Sequence, residues 1–175
     1  SKDSFRKTHD EFLKDLKYPL TLWEQINLIY FFQHNNKSIG NINELFKTNN
    51  KTVIAFAIRC AGYFGRYDLY DLVIEMLHHK DTKITDAAFQ SLGLFQLPQG
   101  SEIIINNFQN HLPSSTKITA IRSLGMIANE NALDFLKQLL FISADHDINI
   151  EIFKAIMLIN PEEATKVIAE TDLEL

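Results

Sequence analysis

The chain has 175 residues, 46% hydrophobic and 22% charged, which predicts one water-soluble globular domain with a substantial core. Lys+Arg 17 against Asp+Glu 22 gives a net charge of −5, which disfavours generic binding to phosphate backbones. Six glycines and four prolines leave little room for a turn-rich all-β fold, and one cysteine excludes an internal disulfide.

In chain order, residues 4–17 place Phe5, Phe12, Leu13 and Leu16 on one helical face, the pattern of an N-terminal capping helix. Thr21 followed by Glu24 reads as a capping box that opens the next helix. The apolar run "INLIYFF" is broken by Asn27 and falls short of the roughly 18 residues that span a bilayer. No membrane insertion within this segment is expected; the expected setting is cytoplasmic, and a tether upstream of residue 1 is left open.

Three phrases then recur: "AIRCAGYF" at 57–64, "AFQSLGLF" at 88–95 and "AIRSLGMI" at 120–127. Their glycines, Gly62, Gly93 and Gly125, are 31 and 32 residues apart, and another 32 reaches Met157. The aligned columns read Ala57, Ala88, Ala120, Ile152; Ile58, Phe89, Ile121, Phe153; Cys60, Ser91, Ser123, Ala155; and Ala61, Leu92, Leu124, Ile156. Phe64, Phe95, Ile127 and Ile159 make a fifth column, so apolar or small residues fall at i, i+1, i+3, i+4 and i+7. That is the buried stripe of an amphipathic helix, repeated as a supersecondary unit. The small Cys60 column lets neighbouring helices approach, and the glycines serve close packing or slight bending.

The second half of each unit keeps the register. Leu72, Ile103, Phe135 and Val167 form one column, and Val73, Ile104, Leu136 and Ile168 the next. Asn160-Pro161 with Glu163 reads as N-cap, first-turn proline and acidic third position, and Asp147 as the N-cap of a helix starting near Ile148. Helix pairs are predicted at about 21–48, 50–80, 82–113, 115–144 and 147–172, in a single domain over 1–175 whose first, atypical pair caps the array.

The stretch "AIRSLGMIANENALDFLKQLL" (120–140) resembles a short HEAT repeat of the phycobilin-lyase-like type. It has that repeat's A-x-x-x-L-G-x-I helix, brief loop and L-x-x-L-L second helix. The similarity covers residues 82–145 most fully, with 50–81 and 147–172 on either side. It implies an all-α, right-handed α-solenoid of about five HEAT-like helix pairs with an N-terminal capping helix. Arrays of this kind serve mostly as interaction surfaces. The chain departs from the family in its inter-repeat loops, "ANEN" and "QLPQG".

No motif that carries chemistry emerges. Adjacent His78 and His79 diverge by about 100° on a helix and cannot share a metal. The "DHD" of 145–147 fits capping better than cation binding, and there is no His-Glu dipeptide of the kind that iron-binding HEAT-like hydroxylases use. Cys60 fits small-residue packing. No enzyme, catalytic residue, metal or cofactor is expected.

Outward positions remain. Arg59, Gln90, Arg122 and Lys154, with Arg66 near the first, form a basic ladder on the first helices, expected to be a solvated convex face. On the second helices, Asp71, Glu102 and Asp134 form an acidic ridge beside Ile74 and Ile105, near Tyr67 and Tyr70. In HEAT-like stacks the second helices line the concave side. The expected function is therefore a non-enzymatic scaffold or adaptor that binds a protein partner there, through a basic or partly apolar segment. The alternative is a nucleic-acid-binding HEAT-like protein of the DNA glycosylase type; the acidic balance argues for no nucleic acid.

Overall fold

The computed structural model describes residues 13, 16–35 and 42–171. Among them the protein is all α, with no strand. The α-helices are α1 (Leu22–His34), α2 (Ile42–Leu45), α3 (Lys51–Tyr63), α4 (Tyr70–Glu75), α5 (Thr82–Phe95), α6 (Gln99–Asn107), α7 (Ser114–Ile127), α8 (Leu133–Ile142), α9 (His146–Ile159) and α10 (Pro161–Thr171). Short 3-10 turns flank α4 at Tyr67–Leu69 and Met76–His78 and lead into α8 at Glu130–Ala132. The chain forms two compact units, 1–88 and 89–175, whose boundary falls within α5. The helix expected over 4–17 lies outside the described residues except at its end, where Leu13 and Leu16 are buried.

Helix starts follow local chemistry. The Thr21 hydroxyl accepts from the Glu24 N–H at 3.2 Å while Glu24 Oε2 accepts from the Thr21 N–H at 2.7 Å, closing the capping box. Asn160 Oδ1 accepts from the Glu162 and Glu163 N–H groups ahead of Pro161. The α9 cap differs from expectation. Asp145, on extended backbone, caps the helix by accepting from the Asp147 and Ile148 N–H groups, and Asp147 falls in the first turn, where its charge favours the helix dipole.

In unit 1, α3 is the core. Residues 55–62 are buried without interruption, so α3 is enclosed on every side. The chain before α1 is laced onto its start: Asn50 Nδ2 donates to the Leu16 and Tyr18 carbonyls, both at 2.9 Å, and the Leu20 N–H donates to Thr52 Oγ1 at 2.8 Å. A surface hollow of about 640 Å³ lies beside this lacing, walled by Lys17, Asn50, Lys51, Asp81 and Lys83. Its charges are partly spent on one another, because Lys51 pairs with Asp81 at 2.8 Å.

In unit 2, α7 lies between α9 and the end of α5. The approach is close because the column residues are small. A Cβ on Gly93 would lie 2.8 Å from Ser123 Cα, and one on Gly125 would lie 3.0 Å from Ala155 Cα. Every residue of the four columns headed by Ala57, Ile58, Cys60 and Ala61 is buried. Burial of a large aliphatic or aromatic side chain among them contributes about 1.5–3 kcal/mol.

One expected column shifts. Val73, Ile104 and Leu136 are buried, but Ile168 is exposed and Val167 is buried in its stead. The cause is the connection before α10, where Asn160 alone separates α9 from α10. The earlier connections are longer and pass through a left-handed residue, Gly65, Gln96 or Ala128, with φ of 59°, 52° and 54°. Those three residues share one register position, spaced 31 and 32 apart, so the repeat is written in the backbone as well as in the side chains.

Candidate interaction surface on the second helices

The unit 1 share of the expected surface follows a tight helix stop. The Arg66 N–H donates to the Ala61 carbonyl at 2.8 Å and the Gly65 N–H to the Gly62 carbonyl at 3.2 Å, a Schellman motif whose left-handed position is Gly65. The chain then turns through Tyr67–Leu69 into α4 and sends Leu69, Val73 and Leu77 inward. That phase leaves Tyr67 58% exposed and Asp71 exposed, with Tyr70 and Ile74 half-buried. Burial, and secondarily the Asp71 charge, raises the Tyr70 phenol above its ordinary range.

The unit 2 share is built in the same way. Ala132, Leu136 and Leu140 face inward on the second pair, Glu102 and Asp134 are exposed, and Ile105 is half-buried. Asn129 Nδ2 donates to the Pro98 carbonyl at 3.0 Å, tying the loop before α8 to the loop before α6. Phe108 and Phe135 meet edge to face, with centroids 5.3 Å apart. One register step on, the acidic character ends: Glu163 accepts from Lys137, in the Ile105 column, and from Lys166, in the Asp134 column, the latter at 2.6 Å. Those contacts hold the Glu163 carboxyl down at about 2.

The basic ladder is overturned at its first rung. Arg59 is 5% exposed, donating to Gln25 Oε1 at 2.8 Å and to Asp86 Oδ2 at 3.2 Å. Because α3 is enclosed, the side opposite its apolar stripe also faces protein. Arg66 makes a two-pronged contact with Asp68, at 2.8 and 2.7 Å. Arg122 grips Glu151 through both oxygens, at 2.8 and 3.0 Å, and Lys154 adds a third contact at 3.0 Å. The Arg122 contacts dominate in pulling the Glu151 carboxyl down to about 2, against the opposing effect of burial.

Burial pushes the Cys60 thiol well above its ordinary range, which keeps it protonated and poorly nucleophilic. His79 Nδ1 accepts from the Asp81 N–H at 2.9 Å. Among the described residues no group of three His, Cys, Asp or Glu side chains is placed to hold a metal ion. No helix there is long and apolar enough to cross a membrane.

The sequence reading opened α1 at Thr21 but did not pick out its exposed apolar side. Its buried positions are Gln25, Ile29 and Phe32, yet Leu22, Trp23, Ile26 and Tyr30 are exposed on the other side. The signal was present, since "LWEQINLIYFF" carries large apolar residues on more than one face, interrupted by Glu24, Gln25 and Asn27, whereas a surface helix keeps them to one stripe. Comparison with family models and with curated proteins found no match.

Proposed function

We propose that this protein is a non-enzymatic scaffold or adaptor, a HEAT-like right-handed α-solenoid of about five helix pairs in a cytoplasmic setting. It takes up a basic, partly apolar segment of a protein partner on its second helices. One observation carries the reading: the outward register position of the second helices holds Asp71, Glu102 and Asp134, all exposed. Among the described residues none of these three is ion-paired, while Arg66, Arg122, Lys137, Lys154 and Lys166 all are. Unspent negative charge steers a cationic partner, and exposed Tyr67 with half-buried Ile74 and Ile105 offers it apolar contact. The nucleic-acid alternative loses support, because Arg59 is turned inward and Arg122 and Lys154 are both held by Glu151.

The test is fluorescence anisotropy with three labelled peptides of equal length: Lys/Arg with Leu, Asp/Glu with Leu, and neutral polar. The basic apolar peptide binds preferentially, more weakly as salt rises, and the triple change Asp71→Lys, Glu102→Lys, Asp134→Lys removes the preference. Ile74→Ser and Ile105→Ser speed its dissociation without lowering Tm. Equal binding of all three peptides overturns the reading, as does micromolar, steeply salt-dependent binding to duplex DNA.

A further inference from the structure

The unit 1 hollow of about 640 Å³ carries Lys17, Lys51 and Lys83 in its wall and, among the described residues, Asp81 as its only acid. Lys51 answers Asp81 at 2.8 Å, which leaves Lys17 and Lys83 exposed and outside any ion pair among the described residues. Elsewhere positive charge is neutralised. The three described arginines, and Lys47, Lys137, Lys154 and Lys166, are each held by a carboxylate. Of the described lysines left unpaired, Lys17 and Lys83 wall the hollow, Lys80 adjoins it in sequence, and Lys117 belongs to unit 2. We infer that this hollow is a binding site for a small phosphate-bearing molecule, whose phosphomonoester group is held by Lys17, Lys51 and Lys83.

Charge selects the ligand class. Three lysines against one aspartate leave a surplus of two positive charges, which a phosphomonoester, carrying about two negative charges near neutral pH, matches and a carboxylate does not. A concave wall of one sign concentrates such an anion, and lysine binds phosphate as a point charge. The wall is also fixed in advance. Lys17 sits between Leu16 and Tyr18, whose carbonyls both accept from Asn50 Nδ2 at 2.9 Å, and the Lys83 N–H donates to Asp81 Oδ1 at 3.1 Å. Held backbone leaves less entropy to lose on binding. The volume lies within the range of small-molecule sites and exceeds a bare phosphate, so an organic body has room beside Pro19 and Asn49, both exposed. A long polyanion is disfavoured by the chain's net charge of −5. None of these residues belongs to the second-helix surface, so the inference stands apart from the partner reading.

Glycerol 3-phosphate is titrated into the isotope-labelled full chain at low salt, with glycerol as the control, and the backbone amide signals are followed by NMR. The ester, and not glycerol, is expected to move the signals of residues 49–52 and 82–83, less so as salt rises. Lys17→Gln and Lys83→Gln each weaken binding about three- to tenfold. Lys80→Gln removes the same charge outside the wall and leaves binding unchanged. Asp81→Asn keeps the helix cap but frees Lys51 and tightens binding. Sedimentation with phosphatidylcholine vesicles containing phosphatidic acid, which presents the same phosphomonoester, identifies the source. Capture that needs Lys17 and Lys83 makes the ligand a lipid headgroup, and ester binding without capture makes it a soluble metabolite. Three outcomes overturn the proposal. One is no shift by about 10 mM ester, well above the roughly millimolar Kd of an open site. Another is a loss for Lys80→Gln equal to that for Lys83→Gln, which would make net charge and not the hollow responsible. The third is Asp81→Asn that leaves affinity unchanged or lower while circular dichroism is that of the wild type.

Discussion

The Arg59 guanidinium donates from Nη1 to Gln25 Oε1 at 2.8 Å, and the two residues are 5% and 4% exposed. Gln25 in turn donates from Nε2 to the Leu20 carbonyl at 3.1 Å, and Arg59 reaches Asp86 at 3.2 Å. One buried polar chain thus joins α1, α3 and the start of α5. Burial lowers the arginine's pKa and the Asp86 carboxylate offsets it, so the charge persists inside unit 1.

Breaking such a pair from either end is costly, since the remaining partner keeps its desolvation penalty. Arg59→Ala is expected to destabilise by about 2–3 kcal/mol, since it strands buried Gln25 while the Asp86 side chain, 26% exposed, regains solvent. Gln25→Ala, which strands a neutral bond, is expected to cost about 1–3 kcal/mol. Urea denaturation of both variants and the double variant checks this. An Arg59→Ala cost below about 0.5 kcal/mol, the size of a surface substitution, would return Arg59 to the solvated face.

The glycine columns lead to a ranked pair. In an open helix Gly→Ala stabilises by about 1 kcal/mol. At Gly93 the new Cβ would strike Ser123 Cα at 2.8 Å, whereas at Gly125 the nearest atom, Ala155 Cα, is 3.0 Å away. Backbone cannot step aside cheaply, so overpacking of about 1–3 kcal/mol outweighs the helix gain. Gly93→Ala is therefore net destabilising and the more damaging of the two. Equal or reversed effects in thermal melts would mean the α5–α7 approach is looser than described.

Much of the architecture was legible. The recurrence around Gly62, Gly93 and Gly125 marked the columns that are buried, and Thr21 and Asn160 marked helix starts. What failed did so for identifiable reasons. Arg59 was placed outward by assuming one solvent face per helix, which is untrue of an enclosed α3. Asp145 and Asp147 are equally good cap residues in sequence, and only the backbone at Asp145 decides between them. Ile168 was misplaced because the shortened connection at Asn160 moves the register by one. In the candidate surface, the exposure of Asp71, Glu102 and Asp134 followed from helical phase. That none of the three is ion-paired among the described residues, while Arg122 and Lys154 both pair with Glu151, depends on side-chain reach that periodicity does not encode.

Gln96 and Ala128 carry no sequence signal for the left-handed conformation they adopt, with φ of 52° and 54°. An L-residue there costs about 1–2 kcal/mol, of which a glycine returns about 0.4–1 kcal/mol as unfolded-chain entropy. Ala128→Gly is therefore expected to stabilise by about 0.5–1 kcal/mol. Gln96→Gly gains less, since it also gives up the Nε2 contact with the Met126 carbonyl at 3.4 Å. Gly65→Ala, at the matching position, is expected to destabilise by about 1 kcal/mol. A raised Tm for Ala128→Gly with a lowered one for Gly65→Ala is the signature; the opposite pattern refutes a shared backbone register.

Glu151 supplies the pH dependence. Its carboxyl sits at about 2 instead of 4.5, chiefly because Arg122 donates to both of its oxygens. A carboxyl whose folded pKa is depressed contributes stability that is fully present above the unfolded value. That contribution is lost as pH falls from about 4.5 towards 2. The full shift corresponds to about 3 kcal/mol. The Arg122 and Lys154 side chains are 60% and 57% exposed, and solvent screening reduces the contribution to about 1–2 kcal/mol. Glu151→Gln is thus expected to lower stability at pH 7 and to flatten its decline between pH 5 and pH 3. At pH 2 the variant and the wild type converge. Chemical denaturation across that window decides the matter, and a difference between the two proteins that does not change with pH would place the cost in packing and not in the Arg122–Glu151 charge pair.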